Sequence, residues 1–223
     1  MENDVIVVRY FAQNISESMQ SSFGSLRTNL LYTDNLKVIT VASALPNEGK
    51  TLTAFQLAQS FAELGKKVVI LDCDLRKCSL QRYFVTKRKV VGISEYLTGQ
   101  AKSIIYTSSI KNLDVIMAGK QPPNPTELLS SEKFAQLISL LKEKYDYVII
   151  DTPPMTVATD SAITGRFSDG VVFVIRNDFT KKRLLQRIKV EMERNGARIV
   201  GVVLNRMKKN QKDYNYYGYG KYY

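Results

Sequence analysis

The chain has 223 residues, with 32 Lys and Arg against 21 Asp and Glu, a formal net charge of +11. Its 44% hydrophobic and 24% charged residues exclude wholesale disorder and predict one domain, or two small ones, with a core that needs no staples. It has no histidine, which excludes His-dependent triads, HExxH zinc sites and a His general base; two cysteines, Cys73 and Cys78, cannot build a disulfide framework.

The acidic start, Met1-Glu-Asn-Asp, is followed by no apolar h-region, so no signal peptide is expected, and no apolar stretch approaches a bilayer span. These features predict a soluble cytoplasmic protein. After an N-terminal arm, Met19, Phe23, Leu26 and Leu30 at near-helical spacing predict a helix over 16–31, weakened by Gly24. Residues 38–42 read as a buried strand and 52–64 as an amphipathic helix closed by Gly65. Residues 68–71 and 113–117 read as further strands, with a short helix near 93–97 between them. The prolines of Gln121-Pro-Pro-Asn-Pro predict a rigid turn, Thr126 is expected to cap the helix that follows, and 133–144 reads as the next helix. Strands at 147–150, 171–175 and 199–204 complete the set. Near-continuous apolar strands alternating with amphipathic helices predict an α/β fold, a mostly parallel sheet covered on both faces. Basic residues crowd the late part of the chain, from Lys181 to Lys212. That excess admits nucleic acid, anionic lipid or acidic protein as partner, but no groove-reading element accompanies it, so nucleic acid is not expected.

Three motifs carry chemistry. Residues 44–51, ALPNEGKT, lie between a strand and a helix and match the phosphate loop GxxxxGK[ST] except at Ala44. Gly49 permits close backbone approach, Lys50 reaches the β- and γ-phosphates, and Thr51 offers a hydroxyl to Mg²⁺. As a loop residue Lys50 is expected to face solvent. The helix behind it directs N–H groups and partial positive charge at the phosphates. Second, Asp72 and Asp74 follow an apolar strand at i and i+2, at the carboxyl edge of the sheet where open α/β folds bind ligands; they point the same way if the strand continues through them. Third, Asp151 ends the apolar strand 147–150 and is followed by Thr-Pro-Pro, the Walker B arrangement. Six of the thirteen tyrosines fall in the last ten residues.

Together these residues resemble the bacterial tyrosine kinases, cytosolic autokinases of capsule and exopolysaccharide assembly. The resemblance rests on Pro46–Thr51, on Leu71-Asp-Cys-Asp-Leu-Arg76 as the family's second acidic motif, and on Ile150-Asp-Thr-Pro-Pro. It extends to residues 118–129 (AGKQPPNPTELL) and to Leu26-Arg-Thr-Asn29. It implies a P-loop NTPase fold of the MinD/ParA kind, with one kinase domain over 1–206 (arm and first helix 1–36, nucleotide-binding core 37–206) and a flexible basic tail over 207–223. ATP and Mg²⁺ are the implied cofactors. Pro46, Asn47, Glu48, Gly49, Lys50, Thr51, Leu52 and Asn205 would bind the nucleotide, Asn205 at the adenine. Thr51, Asp74 and Asp151 would hold Mg²⁺, and Asp72 would accept the tyrosine proton. Tyr214, Tyr216, Tyr217, Tyr219, Tyr222 and Tyr223 would be autophosphorylation sites, modified in trans.

The implied partners are a separate membrane adaptor that recruits the chain to the inner face of the cell membrane, other copies of the chain, and a phosphotyrosine phosphatase. Departures from the family pattern are Asn47 in place of a glycine, which tolerates a left-handed backbone, and Cys78 in place of a proline, expected to pack rather than react. In the ring-forming ExxRxxR pattern, Ser21 and Gly24 replace the first two charged residues and only Arg27 remains, so a monomer or weak oligomer is expected. The alternative is a Min/Par-type ATPase switch, against which stand Leu45, where those proteins carry a second lysine, and the tyrosine-rich end.

Overall fold

A computed structural model describes residues 7–8, 15–86 and 90–207. Along the chain these form β1 (Val7–Val8), α1 (Glu17–Leu31), β2 (Val38–Ser43), α2 (Lys50–Glu63), β3 (Val68–Asp72), a 3₁₀ turn (Ser79–Tyr83), β4 (Phe84–Val85), α3 (Ile93–Leu97) and β5 (Tyr106–Thr107). They continue as β6 (Leu113–Ile116), α4 (Pro125–Ser130), α5 (Glu132–Lys144), β7 (Tyr147–Asp151), α6 (Asp160–Arg166), β8 (Gly170–Arg176), α7 (Lys182–Arg194) and β9 (Ile199–Asn205). The tail predicted over 207–223 lies, from residue 208 onward, outside the described residues.

Seven strands form one sheet in the order β5-β6-β3-β7-β2-β8-β9, parallel throughout except for β5 against β6. β1 pairs with β4 separately. The fold is that of a P-loop NTPase, as the motifs predict. Its central strands are apolar on both sides because both faces are covered. Val41, Val68, Ile70 and Ile149 pack with Phe55, Leu57 and Phe61 of α2, while Val69, Leu71, Val148 and Ile150 pack with Phe134, Leu137 and Leu141 of α5. Burial of such side chains, about 1.5–3 kcal/mol each, fixes which strands are central. Phe61 stacks on Tyr147 with centroids 3.9 Å apart, closing the seam between α2 and the sheet.

The predicted elements appear with ends shifted by at most two residues, α2 included, which starts at Lys50 rather than at residue 52. Ser16 caps α1 through its side chain, which accepts from Met19 N, and Ser131 caps α5 in the same way toward Phe134 N. One expectation fails here. Thr126 is not a cap: α4 starts at Pro125 behind Asn124, and the Thr126 hydroxyl points elsewhere. The helix Asp160–Arg166 was not predicted, because Asp160, Ser161 and Thr164 are buried on it and leave no amphipathic pattern.

Candidate active site

Strand order assembles the site. β7 lies between β3 and β2, so the three motif loops emerge side by side at the carboxyl edge, and Asp72 and Asp151 are paired across neighbouring strands. The loop after β2 carries Asn47 at φ +64° and Gly49 at φ +96°. Asn47 takes the left-handed backbone expected of it. At Gly49 the left-handed backbone demands glycine, and a Cβ would in addition have to push the Asn205 amide aside. α2 starts directly after it, aiming its first N–H groups into the loop.

Lys50 does not face solvent. Its side chain is 8% exposed, and its Nζ lies 3.4 Å from Asp151 Oδ1, 3.8 Å from Asp74 Oδ2 and 3.1 Å from Thr51 Oγ1. The buried carboxylates supply the reason, since an unpaired charge there would be costly. Asp151 is fully buried, and its Oδ2 has no hydrogen-bond partner. Burial pushes its carboxyl above the ordinary range, while the Lys50 ammonium and the Thr51 hydroxyl pull it back.

Asp72 and Asp74 do not point the same way, because the strand ends at Asp72. The Asp72 carboxylate folds under its own loop, accepting from Asp74 N and Leu80 N, each at 3.0 Å. Burial and the neighbouring Asp151 charge push it well up; the Leu80 N–H opposes them. Asp74 instead faces Lys50 with Oδ2 and accepts from Lys77 N at 3.1 Å with Oδ1.

The other residues expected at the nucleotide lie around this loop. Asn205 stands at the end of β9, but its Nδ2 donates to Glu48 O at 2.8 Å and its Oδ1 accepts from Arg206 N at 2.8 Å, so its amide is a strut for the phosphate loop. Glu48 is buried, and its carboxylate is filled by Leu45 N, Arg176 N and the Thr180 hydroxyl. Pro46 and Asn47 are exposed, and Leu52 lies half-buried in the first turn of α2. Cys78 is partly buried; its thiol donates to Gly119 O at 3.4 Å, and burial pushes it up to about 11.

Sequence reasoning missed two supports. Arg76 pairs with buried Asp160 at 3.3 Å and donates to Thr126 Oγ1 at 2.9 Å; Thr126 in turn donates to Asp160 Oδ1 at 2.8 Å. This links the second acidic motif to the proline-rich segment and the helix behind Asp151. Buried Glu95 accepts from Gly92 N, Lys120 N and the Ser94 hydroxyl. Burial works against its charge, but those donors outweigh it and hold the carboxyl low. In α1, the remaining Arg27 of the ring pattern donates to Ser60 O of its own chain at 2.9 Å.

The arrangement is one lysine and three carboxylates beside a helix N-terminus, chemistry suited to a phosphorylated nucleotide. The AAA domain family matches residues 36–195. The tyrosine-protein kinase CpsD of Streptococcus pneumoniae is 37% identical over 204 residues, 90% of either chain. The chain belongs to the bacterial tyrosine-kinase family. Among solved structures, the chimerical protein CapA2B2 superposes with a TM-score of 0.83 at 32% identity, covering 92% of this chain and 95% of that one. The archaeal septum site-determining protein MinD, at 22% identity and a TM-score of 0.65 over 79% of this chain and 72% of that one, shares the fold. As a member of this family the chain is a protein-tyrosine kinase with a nucleotide-binding P-loop. No helix among the described residues is long and apolar enough to cross a membrane.

Proposed function

We propose that this kinase uses ATP and Mg²⁺ to phosphorylate tyrosines 214, 216, 217, 219, 222 and 223 of a neighbouring copy, and so regulates capsular or exopolysaccharide assembly. The observation that carries this reading is Lys50 held between Asp74 and Asp151 with Asp72 on the adjoining strand. The residues fit a divalent cation: Asp151 Oδ2 is buried without a partner, beside the Thr51 hydroxyl and Asp74. One hydroxyl and one or two carboxylates are what Mg²⁺ uses alongside phosphate oxygens and water, although no three Asp, Glu, Cys or His side chains among the described residues could hold a metal alone. When bound, Mg²⁺ would neutralise phosphate charge.

Lys50 would move from the aspartates to the phosphates, and the N–H groups opening α2 would cradle them. Asp72 would take the proton of the attacking tyrosine. Its raised affinity for a proton suits that task, and its two backbone donors fix its orientation.

In this reading, residues 1–206 are the kinase domain and 207–223 its substrate tail. A separate membrane adaptor supplies a cytosolic activating segment and recruits the cytoplasmic kinase to the membrane; a phosphatase resets it. The relatives' names support this setting, CpsD and CapB being capsule-type kinases. The test mixes a Lys50→Arg chain, whose charge keeps the buried cluster balanced, with an active chain lacking residues 214–223. Phosphotyrosine is expected on the Lys50→Arg tail, and its absence excludes transfer between copies.

A further inference from the structure

Glu48 lies in the phosphate loop, yet none of its bonds goes to Lys50 or to the aspartates. Its Oε2 accepts from Leu45 N at 2.6 Å. Its Oε1 accepts from Arg176 N at 3.3 Å and from the Thr180 hydroxyl. Its carbonyl accepts from Asn205 Nδ2. One buried residue therefore joins the end of β2, the end of β8, the end of β9 and the turn before α7.

Thr180 belongs to that turn and to no recognised motif. The turn is itself well defined: Asp178 takes φ +54°, Phe179 N donates to Arg176 O, and the Arg176 guanidinium lies 4.5 Å from the Phe179 ring centre. A buried carboxylate must have its acceptors filled, and without the hydroxyl Oε1 keeps a single long bond from Arg176 N.

We propose that Thr180 is a positioning residue for the nucleotide: its hydroxyl holds the Glu48 carboxylate, and that carboxylate holds Leu45 N and the curvature of the phosphate loop. Among the described residues, the bonds of the two side chains go to Leu45 N, to Arg176 N and to each other, none to Lys50 or the aspartates. The loop needs two left-handed conformations, at Asn47 and Gly49 on either side of Glu48, before its N–H groups face one point. Pinning the loop's entrance at Leu45 N and its exit at the Glu48 carbonyl, which Asn205 Nδ2 holds, removes the alternatives, so the nucleotide meets an ordered cradle instead of ordering one. Loss of the hydroxyl therefore weakens binding, while a bound nucleotide reacts as before. The inference rests on the nucleotide-site reading above.

The test measures ADP binding by the full chain and steady-state autophosphorylation for two variants. Thr180→Val keeps the methyl and loses the hydroxyl; Thr180→Ser does the reverse. Thr180→Val is expected to bind ADP about tenfold more weakly, about 1.4 kcal/mol, and to raise the KM for ATP with kcat near its wild-type value. Thr180→Ser is expected to stay within about twofold of wild type, below the ~1.4 kcal/mol that a tenfold change represents. Glu48→Gln, an isosteric change that spares Thr180, is expected to weaken ADP binding too, with no further loss when combined with Thr180→Val. Wild-type affinity in Thr180→Val, or a Thr180→Ser loss equal to that of Thr180→Val, overturns the proposal. A wild-type chain that fails to bind ADP overturns the nucleotide-site reading instead, and this inference with it.

Discussion

Replacing Lys50 by methionine should do more than stop phosphoryl transfer; it should destabilise the nucleotide-free protein, and increasingly so as pH rises. At an effective dielectric constant of ~20, an ammonium 3.4 Å from one carboxylate oxygen and 3.8 Å from another gains about 5 and about 4 kcal/mol. Desolvating the lysine returns several kcal/mol of this, leaving a net loss on removal of about 3–5 kcal/mol, as for other buried pairs that lose one member. The variant can limit the damage by protonating a carboxylate. An unfolded aspartate with its ordinary value near 3.9 binds no proton at neutral pH, so that uptake costs about 1.4 kcal/mol for each pH unit above 3.9. The native state then holds more protons than the unfolded state, and stability falls as pH rises. Between pH 5.5 and pH 7 the extra loss should be about 2 kcal/mol per proton. Wild type shares a weaker form of the trend, because Asp72 and Asp151 already have raised values. Urea unfolding followed by circular dichroism at pH 5.5, 7 and 8 measures both curves. Parallel curves for the two proteins would refute the reasoning, since the lysine would then not be balancing the buried acids.

Two further changes probe the same site. Asp72→Asn should lower kcat by roughly 10²–10⁴ with the KM for ATP nearly unchanged, the signature of a lost proton acceptor; a variant that altered only its Mg²⁺ dependence would move the base elsewhere. Gly49→Ala should fold with reduced stability and lose ADP binding by more than about tenfold, because its φ of +96° costs ~1–2 kcal/mol for a residue with a Cβ and because that Cβ displaces Asn205; wild-type ADP affinity in isothermal titration would contradict this.

The central strands were legible because burial on both faces writes itself as uninterrupted Val, Ile and Leu, and the motif loops because each follows such a strand. What stayed hidden was long-range. Arg76 and Asp160 are 84 positions apart, and Glu48 and Thr180 are 132 apart, so no local pattern signals either pair. The helix Asp160–Arg166 escaped for a related reason: its polar residues are buried with partners inside the fold, Asp160 with Arg76 and Thr126 and Ser161 with Thr152 and Pro153, which inverts the usual amphipathic code. Lys50 was misjudged as solvent-facing because a loop lysine is ordinarily exposed; only the strand order, with Asp151 beside β2, shows what it must neutralise. A deviation from a local rule was in each case the mark of the functional edge of the sheet.

That edge also explains how two neighbouring buried carboxylates coexist. Asp72 and Asp151 are in register on adjacent strands, so each raises the cost of ionising the other. The fold compensates them differently. Asp72 is held by two neutral backbone donors, which remain in place whether or not a proton is bound nearby. Asp151 is held by a cation, and keeps one bare oxygen. A group of the first kind can gain a proton without breaking an ion pair, whereas a group of the second kind is stabilised only while positive charge is present. Environments that divide a carboxylate pair in this way support the roles proposed above, proton transfer for Asp72 and cation binding for Asp151, and the division follows from which strand each residue ends.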